Sequence, residues 1–175
     1  MAVYVGENLI TEIASGSAAA FRELYELTSD AVYGFALSIL KNSHDAEDVM
    51  QEVFIKIHGS ADTYQRQGKA MAWILTITRN LCYNKIRDHK QHDDIADYAH
   101  VATDGSHEQG INAMILKEAM EVLADDERQI VMLHSMTGMK HREIAEILGM
   151  PVSTVLSKYN RSLKKLKKSI EGREV

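Results

Sequence analysis

The sequence of 175 residues has little of what crosslinks a chain or anchors it in a membrane. It contains one cysteine, Cys82, which excludes an internal disulfide. No apolar run approaches the roughly 20 residues that cross a bilayer, and the N-terminus has no basic segment before an apolar stretch, so it does not look like a signal peptide. We therefore expect a globular protein in the reducing cytoplasm, without direct insertion into a membrane.

Charge is sorted along the chain. The net charge of −5 disfavours a protein that coats nucleic acid indiscriminately. Residues 91–111 nevertheless hold five acidic residues and no Lys or Arg, whereas residues 154–170 hold six basic residues and no acidic ones. The average thus conceals one acidic and one basic segment.

Apolar residues recur at helical spacing through most of the chain, and no stretch alternates with period two for long enough to indicate a sheet. Between the two helical blocks lies a polar, acidic and glycine-containing stretch without periodicity, which is typical of a linker. The predicted fold is all-α, with two small helical domains joined by a flexible acidic linker. The predicted boundaries are 1–90 for the first domain, 91–111 for the linker and 112–175 for the second domain.

The segment "HREIAEILGMPVSTVLSKYNRSLKKLKK" predicts a helix-turn-helix. Gly149 permits the tight turn, and Pro151 can open the next helix because its missing N–H is not needed there. On a helical wheel the inner face of the second helix is Val155, Tyr159, Ser162, Leu166 and Ile170. The outer face is polar and suits the DNA major groove, where base edges and phosphates are read. A solvated basic face and a membrane-surface helix are the alternatives.

A second helix, "SHDAEDVMQEVFIKI", is acidic on one side. Its wheel gathers Ala46, Val49, Met50, Val53 and Ile57 on one face. The opposite face is Asp45, Asp48, Gln51, Glu52 and Ile55. An interface that combines charge with an apolar anchor explains an isoleucine among acids, although single exposed apolar residues are common and a solvated face is the alternative.

The next segment, "DTYQRQGKAMAWILTITRNLCYNKIRDHK", interleaves aromatic, basic and amide residues. Stacking platforms, phosphate partners and amide groups are what single-stranded DNA requires. For Trp73, which has helical spacing to Ile77, a place in the core is the stronger interpretation.

These motifs resemble those of the compact bacterial RNA polymerase sigma factors of the extracytoplasmic-function (ECF) group in the sigma-70 family. "FRELY…AVYGFALSILKNSHDAEDVMQEVFIKI" with "AWILTITRNLCYNKIR" looks like sigma region 2, and "LADDERQIVMLHSMTGMKHREIAEILGMPVSTVLSKYNRSLKKL" looks like region 4. The resemblance covers nearly all of residues 18–170. It implies a sigma factor that binds core polymerase and directs promoter-specific initiation, with no catalytic residue, no cofactor and no enzymatic activity.

The resemblance also implies roles for individual residues. Contacts with the clamp helices of the polymerase β′ subunit would come from Asp45, Asp48, Gln51, Glu52 and Ile55. The minus-ten element would meet Asp62, Tyr64, Arg66, Gln67, Lys69, Arg79, Asn80, Asn84 and Arg87. The minus-thirty-five element would meet Ser157, Lys158, Asn160, Arg161, Lys164 and Lys168. Further partners would be the polymerase β flap and an anti-sigma protein.

Some positions depart from the family pattern. Leu156 stands where a basic residue is common, Ala124 stands where proline is common, and Lys158 and Asn160 replace the usual Arg and His. These differences bear on base preference. Two other functions stay open at this point: a helix-turn-helix regulator that is not a polymerase subunit, and a metal site at His89, His92 and Asp93.

Overall fold

A computed structural model describes residues 3–93 and 120–171, with side chains through residue 90 in the first range. The chain divides into two compact units, residues 1–103 and 104–175, which are considered separately. Within the described ranges every regular element is helical, which confirms the predicted all-α class. None of the described helices is both long enough and apolar enough to span a membrane.

The first unit is a small helical bundle. Its helices are α1 (Glu7–Ala14), α2 (Ala18–Leu40), α3 (Ser43–Ser60) and α4 (Ala70–Asp93), with a 3₁₀ turn at Ala61–Thr63. Helices α2, α3 and α4 pack against one another, and α1 packs on α2 and on the 3₁₀ turn. Fully buried side chains include Leu24, Phe35, Val49, Ile57, Ile74 and Leu75.

Capping hydrogen bonds and a left-handed residue mark the ends of these helices. The Ser17 hydroxyl accepts the backbone N–H of Ala20 at the start of α2, and the Asn42 side chain accepts that of Asp45 at the start of α3. Between the two helices Lys41 is left-handed, with φ of 59°. Helix α4 continues to Asp93, three residues past the predicted boundary of the first domain. The remainder of the predicted linker lies outside the described residues.

The second unit contains α5 (Asp125–Thr137), α6 (His141–Leu148) and α7 (Val152–Glu171). Gly138 and Gly149 end α5 and α6 in the left-handed conformation, with φ of 68° and 65°. The carbonyl of Pro151 accepts the N–H groups of Thr154 and Val155 at the start of α7. The predicted helix-turn-helix is therefore present as α6, the Gly149 turn and α7.

Helix α7 follows the predicted wheel except at its end. Val155 and Ser162 are fully buried, and Tyr159 and Leu166 pack against a core of Met120, Leu123 and Val131. Ile170 was placed on the same inner face, but this prediction is wrong, because its side chain is 46% exposed. It lies one turn beyond Leu166, the last residue of α7 that this apolar cluster covers.

Candidate functional site

The acidic face of α3, which we call the acidic surface, comprises Asp45, Asp48, Gln51, Glu52 and Ile55. On the opposite face Ala46, Val49, Val53 and Ile57 are buried, as the wheel predicts, and Met50 is half-buried. Ile55 is 72% exposed. An isoleucine that protrudes beside carboxylates, on a helix already fixed by its inner face, is accessible for contact with another molecule.

Two of these acids have an intramolecular partner. The Nζ of Lys85 in α4 lies 3.2 Å from Oδ1 of Asp45 and 3.0 Å from Oδ2 of Asp48. The hydrogen bond from Lys85 holds the pKa of Asp48 below its usual range. Partial burial would lower the pKa of Lys85, but the bonds to Asp48 and Asp45 outweigh it and raise that pKa. Gln51, Glu52 and Ile55 form the outward part of the surface.

The loop of residues 62–69 begins within the 3₁₀ turn that follows α3. It is hydrogen-bonded to Glu7 at the start of α1. The Tyr64 hydroxyl and the backbone N–H groups of Gln67 and Gly68 all donate to Oε1 of Glu7, at 2.7, 2.9 and 2.5 Å. The bond from Tyr64 contributes most to a lowered pKa of Glu7. Burial and the bond to Glu7 raise the pKa of Tyr64 to about 12. Sequence reasoning missed Glu7.

The other residues predicted in this loop are exposed: Asp62, Arg66, Gln67 and Lys69. Tyr64 is half-buried, and its ring lies 5.0 Å from that of Trp73, centroid to centroid. Trp73 is itself half-buried, so it is neither a full member of the core nor an open platform. The contact between the two rings thus joins the loop to α4.

Helix α4 presents an open groove lined by Arg79, Asn80, Tyr83 and Asn84. The Arg79 guanidinium lies 4.8 Å from the centroid of the Tyr83 ring, within cation–π distance. Its Nε is buried and, among the described residues, lacks a hydrogen-bond partner. Asn80 and Asn84 are exposed one turn apart, and Arg87 is exposed one turn further on. We call these five residues the α4 groove.

The outer face of α7 is polar and exposed, and we call it the α7 surface. Its members are Ser157, Asn160, Arg161, Lys164 and Lys168. Leu156, at its edge, is 41% exposed. Lys158, which was predicted on the same surface, is half-buried, and its Nζ pairs with Oδ2 of Asp126 in α5.

A second ion pair joins α5 and α7. The Nζ of Lys165 lies 2.7 Å from Oε2 of Glu127, whose side chain is almost fully buried. Glu127 also accepts the backbone N–H of Ala124 at the start of α5. Burial would raise the pKa of Glu127, but the bond from Lys165 and the Ala124 N–H outweigh burial and lower it. The acids of α5 thus hold α7 by its inner lysines and leave the outer cations exposed.

The predicted metal ligands do not form a cluster that the structure describes. His89 is exposed, and its Nε2 lies 3.8 Å from Oδ1 of Asp45. The side chains of His92 and Asp93 lie outside the described residues. Among the side chains that are described, no group of three or more His, Cys, Asp or Glu is placed to hold a metal ion.

Two family models match the chain: Sigma-70 region 2 over residues 24–92 and Sigma-70 region 4 over residues 113–166. The ECF RNA polymerase sigma factor SigW of Bacillus subtilis (strain 168) is 26% identical over 176 residues, covering 92% of this chain and 94% of that protein. The ECF sigma factor EcfG of Rhodopseudomonas palustris (strain TIE-1) is 29% identical over 136 residues, covering 75% of each.

Solved structures show the same relationship. The sigma factor RpoE of Bartonella quintana, in complex with the anti-sigma factor NepR, matches with a TM-score of 0.72 and 25% identity, over 86% of this chain and 96% of that chain. CnrH, in complex with the cytosolic domain of CnrY, has the same fold, with a TM-score of 0.69 and 21% identity over 95% and 97% of the two chains. Matched by both sigma-70 regions in order, and along most of its length by ECF relatives, the chain belongs to the ECF group of the sigma-70 family, whose members direct RNA polymerase to promoters.

Proposed function

We propose that this sigma factor binds three targets, each through a different part of its surface. The acidic surface docks on the clamp helices of the β′ subunit, the 62–69 loop and the α4 groove hold the unpaired strand of the minus-ten element, and the α7 surface reads the minus-thirty-five duplex. The observation that carries the proposal is Ile55, which is exposed among acids on a helix whose opposite face packs into the core of the bundle.

At the centre of the proposed contact with the polymerase lie Gln51, Glu52 and Ile55. The isoleucine supplies the apolar contact, and the acids complement a basic partner and steer its approach. Asp45 and Asp48 already share Lys85, so their net field is weaker than two free carboxylates would give. We therefore place them at the rim of the contact, where they set its orientation more than its affinity.

Minus-ten recognition combines stacking with charge. Tyr83 offers an exposed face, and Arg79 lies over its ring. Asn80 and Asn84 can bond to base edges, and Arg87 with the loop residues Arg66 and Lys69 can meet phosphates. Asp62 and Gln67 lie on the same exposed loop and can pair with the edge of a base that leaves the stack.

Minus-thirty-five recognition uses the exposed cations of α7. Arg161 is the residue best suited to a bidentate contact with guanine, Ser157 and Asn160 can bond to neighbouring edges, and Lys164 and Lys168 can meet phosphates. The ammonium group of Lys158 is engaged by Asp126, so we expect its contribution to DNA binding to be smaller. The polymerase β flap would hold this unit in place.

Neither DNA-binding surface needs high affinity alone. When both are carried on one polymerase, the second contact becomes intramolecular and gains an effective concentration. This accounts for promoter recognition by a protein whose net charge is −5. We place the protein in the cytoplasm, assign it no enzymatic activity, and propose an anti-sigma protein as an additional partner, as in the solved complex of RpoE with NepR.

The test is transcription in vitro with purified core polymerase and a genomic DNA library. Glu52→Arg should abolish promoter-specific initiation and core binding, whereas Glu23→Arg, an equal charge reversal at an exposed position on α2, should leave both unchanged. Equal activity of the two variants would contradict the docking assignment. Promoter binding by the free protein at physiological salt, as tight as that of the polymerase complex, would instead indicate a regulator that acts without the polymerase.

A further inference from the structure

One oxygen of Glu7 organises the 62–69 loop. Three donors from the loop converge on Oε1: one phenol and two consecutive backbone N–H groups. Hydrogen bonds to a carboxylate are stronger than neutral ones. The loop lies some 60 residues further along the chain, so this is a tertiary contact between α1 and the loop.

The contact fixes the part of the loop that would otherwise be least constrained. Gly68 is left-handed, with φ of 69°, and its N–H points to Glu7. Exposed loops are ordinarily the mobile part of a fold. With Tyr64 held against Trp73 on one side and two amides held by Glu7 on the other, the loop has one defined backbone course.

We propose that Glu7 is a positioning residue for promoter melting, which sets the 62–69 loop in the conformation that accepts an unpaired base. The inference rests on the proposed role of this loop at the minus-ten element. A binding loop that is already ordered loses less conformational entropy when its ligand arrives, and so binds more tightly.

The charge of Glu7 is compatible with nearby DNA. Its Oε1 is surrounded by donors, and Arg66 and Lys69 belong to the same loop, so the carboxylate has less net field towards a phosphate. Helix α1 is anchored independently by Leu9, Ile10 and Ile13, which are buried. Removal of the Glu7 side chain should therefore loosen the loop without unfolding the helix.

Trp73 is the single tryptophan of the chain and lies beside Tyr64, so its emission reports on the loop directly. We would compare Glu7→Ala, Glu7→Gln and Tyr64→Phe in the full-length protein. The matched control is Glu12→Ala, five residues further along α1, whose carboxylate accepts a hydrogen bond from Asn8 in the same helix. Amide hydrogen exchange at Gln67 and Gly68 measures loop order, and permanganate footprinting of a promoter selected with the wild-type polymerase complex measures melting.

For Glu7→Ala we expect exchange at these two amides to accelerate by about tenfold or more, an altered Trp73 emission, and a melted fraction reduced by about tenfold, with core binding unchanged. Glu7→Gln should show a smaller change in all three measurements, since its amide oxygen still accepts hydrogen bonds. Tyr64→Phe removes one donor and should lie between wild type and Glu7→Ala. Glu12→Ala should match wild type.

Two outcomes separate this inference from the proposed function. If Arg66→Ala and Gln67→Ala in the loop itself leave melting unchanged, the loop does not contact the minus-ten element, and the proposed function of the loop is overturned. If those variants impair melting but Glu7→Ala leaves amide exchange and melting at wild-type levels, the loop assignment is supported and the positioning role of Glu7 is overturned.

Discussion

The Nζ of Lys85 in α4 lies 3.0 Å from Oδ2 of Asp48 in α3, and the same ammonium group reaches Asp45. One cation of the fourth helix thus offsets two acids of the third. This joins the proposed polymerase-binding helix to the helix that carries the α4 groove. The contact also lowers the net charge of the acidic surface, where the Asp48 side chain remains about half exposed.

Replacement of Lys85 by methionine should cost at most about 1 kcal/mol of unfolding free energy at neutral pH, because the pair is partly exposed. Since the pKa of Asp48 is depressed in the folded state, this stabilisation is present above the usual carboxyl pKa and is lost as pH falls through the folded pKa. Urea unfolding followed by Trp73 emission measures it. Lys90→Met, exposed on the same helix, is the control. A loss that persists in acid would identify packing, not charge, as the cause.

The single thiol offers a probe of unfolding. Cys82 is fully buried, and burial raises its pKa to about 12, so the native protein holds almost no accessible thiolate at neutral pH. We expect alkylation by iodoacetamide to be slow in the native state and fast in urea. The rate under native conditions should follow the free energy of unfolding across the variants proposed above. Rapid modification of the folded protein would show that α4 opens locally around Cys82.

The sequence predicts the faces of the helices well, because burial follows a period of 3.6 residues. Thus Val49, Val53 and Ile57 are buried where the wheel places them, and Ile55 is exposed. The wheel fails at Ile170, since periodicity does not show how far along α7 the neighbouring apolar cluster extends. The family resemblance places Lys158 among the DNA-binding residues, but it contains no information about the pairing of Lys158 with Asp126 on another helix.

The contacts that tune the proposed sites were beyond prediction from the sequence for the same reason. Glu7 and Gly68 are separated by 61 residues, and Asp48 and Lys85 by 37. Neither pair belongs to a local motif with fixed spacing. Helix α1 itself was not predicted, because its eight residues are short for a periodicity argument. Polar contacts between residues this far apart in sequence depend on how the helices pack, which local patterns do not show.

Ile55 is expected to act in binding and not in folding. Its side chain is largely in solvent, so Ile55→Ser should change the free energy of unfolding by no more than about 0.5 kcal/mol. Affinity for core polymerase should fall by about tenfold or more if the residue is an interface anchor. Leu27→Ser, at an exposed aliphatic position on α2, should leave affinity unchanged. Fluorescence anisotropy of labelled sigma factor with core polymerase measures the affinity of each variant. An equal loss of affinity in Ile55→Ser and Leu27→Ser would exclude a specific anchor at Ile55.

Arg161 is expected to carry sequence preference at the minus-thirty-five element. Arg161→Ala should cost about 1–3 kcal/mol at one base pair and relax the preference there. Lys167→Ala removes the same charge from an exposed residue that pairs with Glu171, and it should weaken binding little and equally for all sequences. Initiation from a promoter library randomised at the minus-thirty-five element compares them. If both variants shift the preferred sequence alike, Arg161 contributes only charge.

Glu127 should make the second unit sensitive to acid. The residue is 2% exposed, and its carboxylate accepts hydrogen bonds from Lys165 and the Ala124 N–H, which depress its pKa. Its stabilising effect is therefore complete at neutral pH and declines as pH falls through the folded pKa. In Glu127→Gln the amide oxygen can still cap α5, but the charge pair with Lys165 is lost, which should cost about 1–3 kcal/mol.

The control for this prediction is Glu143→Gln. Glu143 accepts the Lys140 N–H at the start of α6, 2.8 Å away, in the same capping role but at a more exposed position. Amide hydrogen exchange of α5 and α7 in the full-length protein, at neutral pH and in acid below the folded pKa of Glu127, separates the contribution of the charge pair from that of the helix cap. Glu127→Gln should increase exchange mainly at neutral pH and converge with wild type in acid, while Glu143→Gln should change little. If Glu127→Gln and Glu143→Gln behaved alike, α7 would be held by its apolar inner face, and the lysine pairs would only adjust its charge.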